Sequence, residues 1–268
     1  MRTRHAAQAF LLCTTLSWGM AAQAQTTPHD PTGRCSQAIV QQLAQHFGLK
    51  HFGLKHFAYP ADGMYPSAEN GGLIVAGVCK AWPADPSKTL AAFAYDAGTE
   101  YEKQLLLAVI DPPGRITASY KGVIPENAAS EVSASSLSLD TARYQLSGTV
   151  RAFGVRLQTF RDRCTYEGGF DDELTLFVIA GKTLRPVLTE TMRHWTYGSG
   201  NRCGGEEAPR TETNIVISVA PTASHGFADL RLTAHRSDKK KPLSATVSYD
   251  GERYELKHWK RAFQAWME

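Results

Sequence analysis

Three things are scarce in this chain, and each scarcity excludes something. No apolar run beyond the N-terminus approaches the ~20 residues a membrane-spanning helix needs, so stable membrane insertion is not expected. Charge of one sign is missing too. With 29 Lys and Arg against 26 Asp and Glu, the chain lacks the net field that draws a protein to nucleic acid or to anionic lipid. Cysteine is sparse, at five residues, and no two have the short spacing of zinc sites. The usual catalytic signatures are also absent: there is no GxSxG elbow, HExxH helix, Walker loop or EF-hand loop. The sequence therefore calls for no metal and no cofactor.

What is present begins with an export signal. Arg2 and Arg4 precede an apolar stretch at 9–16, and Ala22-Gln23-Ala24 supplies small residues two apart, the three parts of a secretory signal peptide. We expect residues 1–24 to be removed after Ala24 and the mature chain to be periplasmic or secreted. A lipid anchor on Cys13 is disfavoured by bulky Phe10, Leu11 and Leu12 before it. Loss of Arg2 and Arg4 lowers the formal charge from +3 to +1. The mature chain keeps Cys35, Cys79, Cys164 and Cys203, which in an oxidising compartment read as two disulfides. Pairing near neighbours gives Cys35–Cys79 and Cys164–Cys203. Each closes a loop of roughly 40 residues, worth on the order of 4 kcal/mol in the chain-entropy model.

The segment 25–72 reads as a lead-in, one amphipathic helix and a tandem repeat. Ile39, Val40, Leu43, Ala44 and Phe47 fall at helical spacing. HFGLK then occurs twice, at 46–50 and 51–55, and His56-Phe57 starts a third copy. A period of five turns a helical side chain by about 140° and alternates faces on a strand, so His46, His51 and His56 do not converge on a metal. A short surface duplication is the simpler reading.

Residues 73–268 read as a single disulfide-stapled β domain centred on 104–122. Leu105, Leu106, Leu107, Ala108, Val109 and Ile110 form an unbroken apolar run stopped by Pro112-Pro113-Gly114, as in a strand covered on both faces. Ile116, Ala118 and Tyr120 then alternate with Thr117, Ser119 and Lys121, the period of a strand with one wetted face. Further strands follow at 136–146, 150–157, 174–180, 184–189, 191–197, 213–220, 227–234 and 243–249. The apolar parity slips near Phe153-Gly154, which suggests a bulge or sharp bend there. Turns are expected at Gly181-Lys182 and at 249–252, the latter pairing SATVSY with ERYEL. The lysines of 238–241 read as a solvated hairpin tip. Trp259, Phe263 and Trp266 mark a helical tail. The expected class is all-β, mostly antiparallel, as a curled sandwich with an N-terminal amphipathic helix and a C-terminal helical tail. An incomplete propeller-like array is the alternative.

One constellation could carry function. A Cys164–Cys203 bridge would hold the loop 162–173 against 193–207. That would gather Glu167, Asp171, Asp172, Glu173, Glu206 and Glu207 with Arg193, His194, Trp195, Tyr197, Asn201 and Arg202. Trp, Tyr and Arg are the usual anchors of protein interfaces, so Arg193, His194, Trp195, Tyr197, Asn201 and Arg202 are the candidate binding residues, in an exposed patch centred on Trp195 and Tyr197. Glu167, Asp171, Asp172 and His194 are the weaker catalytic candidates, as an acid/base set for glycan hydrolysis. The expectation is an exported binding protein for an unknown protein or glycan ligand, in one form an inhibitor or immunity-type partner of an envelope enzyme. A small secreted glycan hydrolase is the alternative.

Overall fold

The computed structural model describes residues 33, 35–49, 73–161, 167–198 and 209–268. Over the described residues the chain is all-β and mostly antiparallel, with one helix before the strands and one after. The first helix, α1 (Gln37–His46), is followed by β1 (Leu73–Trp82), β2 (Asp85–Asp96), β3 (Glu102–Asp111) and β4 (Arg115–Pro125). These four strands form an antiparallel meander. A second meander follows, with β5 (Leu137–Gln145), β6 (Arg151–Leu157), β7 (Gly168–Ala180) and β8 (Thr183–Tyr197). The last strands are β9 (Arg210–Ser224), β10 (Phe227–Arg236) and β11 (Leu243–Val247), and α2 (Lys257–Met267) closes the chain.

The strands join in a single sheet of order β1-β2-β3-β4-β8-β7-β6-β5, with β9 hydrogen-bonded to the end of β8 and leading on to β10 and β11. The sheet curls over until β5 packs on β1 and β2, where the Lys80 ammonium donates to the Leu139 carbonyl at 3.5 Å. Curling makes layers. The β1–β4 meander and the β5–β8 meander enclose one core, with Leu90, Ala92, Leu107 and Val109 facing Leu139, Phe153, Val155 and Phe177. The other face of β5–β8 packs against β9–β11 and α2 in a second core, through Leu174, Leu176, Leu188, Met192, Leu230, Leu232 and Trp259.

The unbroken run at 105–110 is explained by what lies on its two sides. Leu107 and Val109 face the first core, while Leu106, Ala108 and Ile110 meet α1 through Val40 and Leu43. Burying one such aliphatic side chain contributes about 1.5–3 kcal/mol, so the outer face of β3 makes the helix worth forming. Ser36 caps α1 by accepting from the Ile39 N–H at 3.4 Å. A disulfide from Cys35 to Cys79 on β1, with Cα atoms 5.0 Å apart, ties the helix start to the sheet.

Two expectations meet the structure differently. The parity slip at Phe153-Gly154 coincides with the register irregularity of the β5–β6 ladder, where Asp140↔Gly154 gives way to Tyr144↔Ala152, while the pairing of β6 with β7 stays regular. The extra residues lie on β5, between Asp140 and Tyr144. Both parities of β6 are apolar because it belongs to the middle layer: Ala152 faces one core and Phe153 and Val155 the other. Gly154 is small for a packing reason, since a Cβ there would lie 2.5 Å from Leu174 Cδ1 and 3.0 Å from Asp140 Cβ. Secondly, the turn at 249–252 exists, with the Asp250 carboxylate accepting from the Glu252 and Arg253 N–H groups at 2.7 Å each. The expected second strand does not follow it. Only the bridge Tyr249↔Tyr254 forms before the chain enters α2.

Candidate binding site

The sequence grouped residues 167–173 and 193–197 as one site, and strand alternation divides them. Asp171 stands opposite Arg193 on the β7–β8 ladder, and Phe170 stands opposite His194, so the two pairs face opposite sides. On the first side the Arg193 guanidinium bonds the Asp171 carboxylate at 3.1 Å. The other oxygen of Asp171 accepts from the Thr159 and Phe160 N–H groups at 2.9 and 3.4 Å. Trp195 lies beside this pair and is only 5% exposed, not at the centre of an exposed patch. The Phe160 ring meets it edge-on at 4.6 Å, and the Arg193 and Arg210 guanidinium groups lie 5.5 and 5.8 Å from its ring. Gly169, directly across the ladder, leaves room for it, because a Cβ there would sit 2.5 Å from the indole. Tyr197 is half-buried at the end of β8.

On the second side His194 packs under α2, its ring 5.0 Å from that of Phe263 and 6.4 Å from that of Phe170. Burial pushes its imidazole below the ordinary histidine value. Asp172 is bound to Arg156 at 2.6 Å, and Arg156 also holds Asp140 at 2.9 Å. Glu167 is exposed just before β7, where its carbonyl accepts the Tyr197 N–H at 2.8 Å. Asp171 is thus held by Arg193 and two backbone donors, and Asp172 by Arg156 through one oxygen, its Oδ1 being buried without a hydrogen-bond partner among the described residues. Such carboxylates hold loops and strands in place; a general base needs a free lone pair directed at a substrate. Asn201, Arg202, Glu206, Glu207, Cys164 and Cys203 lie outside the described residues, as do His51 and His56. His46 is described, and its Nε2 bonds the Ser119 hydroxyl at 2.9 Å. Among the described residues no cluster of three His, Cys, Asp or Glu has the arrangement of a metal site.

A concave site occurs elsewhere, where the two meanders separate. Strands β4 and β8 meet through one parallel bridge, Ser119↔Thr183, with the Ser119 N–H donating to the Lys182 carbonyl at 3.1 Å. Beyond it they pair no further, and a cavity of ≈ 50 Å³ opens between the C-terminal end of β4 and strands β5, β6 and β7. Its walls are mainly Leu105, Ile124, Pro125, Leu137, Val155 and Leu157, with Val123, Thr175 and Glu173 completing it. Drug-sized and cofactor pockets run to roughly 300–1,000 Å³, so this one suits the end of a single side chain.

The charge and shape around the cleft are unusual for an inert surface. Glu173 keeps a solvent-exposed flank, yet loss of solvation raises its carboxyl above the ordinary value, with Lys260 acting in the opposite direction. Val123 is 59% exposed beside the cleft, and Tyr101, whose carbonyl accepts the Glu126 N–H at 2.7 Å, is 66% exposed next to its Pro125 wall. The Tyr101 hydroxyl interacts with the Glu100 carboxylate, and Lys103 bonds Asp96 at 3.3 Å and Glu126 at 2.8 Å.

Sequence reasoning passed over this site because its walls come from five strands. One signal was visible: Thr117, Ser119 and Lys121 set up a polar parity that Val123 breaks. No helix among the described residues is long and apolar enough to cross a membrane. Comparison with family models, with curated proteins and with solved structures returns no match for this chain.

Proposed function

We propose that this is an exported binding protein that engages a partner protein through the cleft at the end of β4, without covalent chemistry of its own. The observation that carries the reading is the cleft itself: apolar walls, the single carboxylate of Glu173, and exposed Val123 and Tyr101 at its border. A concave apolar site with few polar groups is the usual form of a recognition site. Export is supported by the three-part N-terminal pattern and by the Cys35–Cys79 disulfide, which fits an oxidising compartment. An inhibitor or immunity-type role toward an envelope enzyme is one form this function takes. The engagement of Asp171 and Asp172 by arginines gives no support to glycan hydrolysis.

The test is photo-crosslinking in the cell that exports the protein. Benzoylphenylalanine replacing Tyr101 is expected to yield one discrete protein adduct, identified by mass spectrometry. The same group replacing Val216, which is 52% exposed on β9, is expected to yield none. An adduct from Val216 and not from Tyr101 sinks the reading.

A further inference from the structure

Among the described residues, the edge of β4 beyond its bridge to β8 has backbone groups without partners, and their positions follow from the register. Pairing of β4 with β3 runs without interruption from Val109↔Ala118 to Glu102↔Pro125. In a regular antiparallel strand, N–H and C=O groups of alternate residues point to the same edge. The Ser119 N–H points toward β8, where it reaches the Lys182 carbonyl. The N–H and C=O groups of Lys121 and Val123 therefore point the same way, past the place where β8 has turned off, and no hydrogen bond from a described residue reaches them.

Exposed edges of this kind are ordinarily blunted, and this one is limited but not closed: Lys121 flanks it on one side and Pro125 on the other. The open register is long enough for a few residues of a guest strand and too short for indefinite stacking. A guest strand would run about 4.8 Å from β4, with alternate side chains directed to the cleft face. The ≈ 50 Å³ cavity fits one apolar side chain. Glu173 in the cleft favours a positive neighbour two positions along, whereas Asp96 and Glu126 nearby are already paired with Lys103.

We infer that β4 captures a partner protein by strand addition: an extended segment pairs with Lys121 and Val123, inserts an apolar side chain into the cleft, and sets a Lys or Arg against Glu173. This rests on the binding reading above and deepens it by naming the partner's chemistry. Main-chain hydrogen bonds give such complexes affinity and the side-chain pocket gives selectivity.

The experiment uses the full mature chain, the blocked peptide acetyl-Thr-Leu-Thr-Arg-Thr-amide, and its counterpart with Glu in place of Arg. Amide hydrogen exchange followed by NMR is expected to slow at Lys121 and Val123 with the first peptide. The acidic peptide is expected to bind about tenfold more weakly, and Glu173→Gln to remove most of that difference. Val123→Pro deletes the edge-facing donor without removing a bond to β3, so it should abolish the protection while the melting temperature holds, whereas Val123→Thr should bind normally. Unaltered exchange with either peptide, or equal binding by Val123→Pro, overturns strand addition. Homodimerisation that Val123→Pro abolishes also overturns it, by making the occupant a second copy. The Tyr101 adduct decides the wider reading separately: an adduct without peptide protection leaves a binding protein that uses some other mode.

Discussion

The two helices solve the same problem with different means. Each covers an apolar sheet face, yet α1 is anchored by bonds and α2 by aromatic bulk. Helix α1 has a Ser36 cap, a histidine in its last turn where the dipole favours a cation, and the Cys35–Cys79 bridge one residue before the cap. Helix α2 has no side-chain cap and no acidic residue in its first turn, and Lys257, His258, Lys260 and Arg261 crowd the end where the dipole disfavours positive charge. It holds because Trp259 is 1% exposed and stacks on Phe263 at 5.5 Å, with Phe263 reaching His194 and Trp266. Its last turn is fixed by the Arg236 guanidinium on the Met267 carbonyl and the Lys239 ammonium on the Trp266 carbonyl. Local helix signals and tertiary burial are interchangeable sources of order, and this chain uses one at each end.

The largest expected effect breaks the α2 side. Trp259→Ala should cost about 3–5 kcal/mol, because the second core loses its largest fully buried side chain and nothing covalent retains the helix. Urea unfolding checks it, and a loss below about 1 kcal/mol would show that α2 is dispensable to that core. Next comes the covalent anchor of α1. Replacing Cys35 and Cys79 by Ser should cost about 2–4 kcal/mol, since the bridge spans 44 positions in the sequence. The loss should come with faster hydrogen exchange in α1 and unchanged exchange in α2, which is the sharper half of the prediction.

What the sequence disclosed follows the same division. The strand at 105–110, the amphipathic pattern of α1, the i, i+4, i+7 aromatics of α2 and the Cys35–Cys79 pair were legible, because each is a signal within one segment or between two scarce residues. The middle layer was not. A strand covered on both faces by two separate cores looks, from sequence alone, like a parity slip, and Phe153 beside Ala152 was read that way. The candidate constellation is divided for a related reason: Arg193, His194 and Trp195 are adjacent in sequence but alternate across the sheet. The β4 cleft was illegible because divergence of β4 from β8 after one bridge is a property of the assembled sheet.

A smaller effect separates the buried titrating groups under α2. Burial raises the Glu190 carboxyl above its ordinary value, with Lys260 opposing, and lowers the His194 imidazole. For His194 the folded state binds its proton less readily than the unfolded state, so stability falls as pH drops through the ordinary histidine value near 6.5. For Glu190 the folded state binds its proton more readily, so its ionisation is a cost at neutral pH that lessens as pH falls toward the ordinary value of 4.5. The two slopes oppose each other. Glu190→Gln should raise the urea midpoint at pH 7 and leave a steeper acid-side decline, and His194→Gln should flatten that decline. Unchanged pH profiles in both variants would mean that neither group is desolvated.

The smallest effect concerns the helix starts themselves. Ser36→Ala should cost about 0.5–1 kcal/mol, at the low end for a cap because the Ile39 bond is long at 3.4 Å. The converse change at α2, Leu256→Ser, should bring no gain. An N-cap needs extended backbone, which Ser36 has at φ −65°, ψ 151°, whereas Leu256 is helical at φ −93°, ψ −3°. Leu256 also packs against the second core, and a hydroxyl there loses apolar contact. A net stabilisation by Leu256→Ser would show that the α2 start rearranges to accept a cap, and the contrast between a bonded helix and a packed one would then describe only the wild-type side chains.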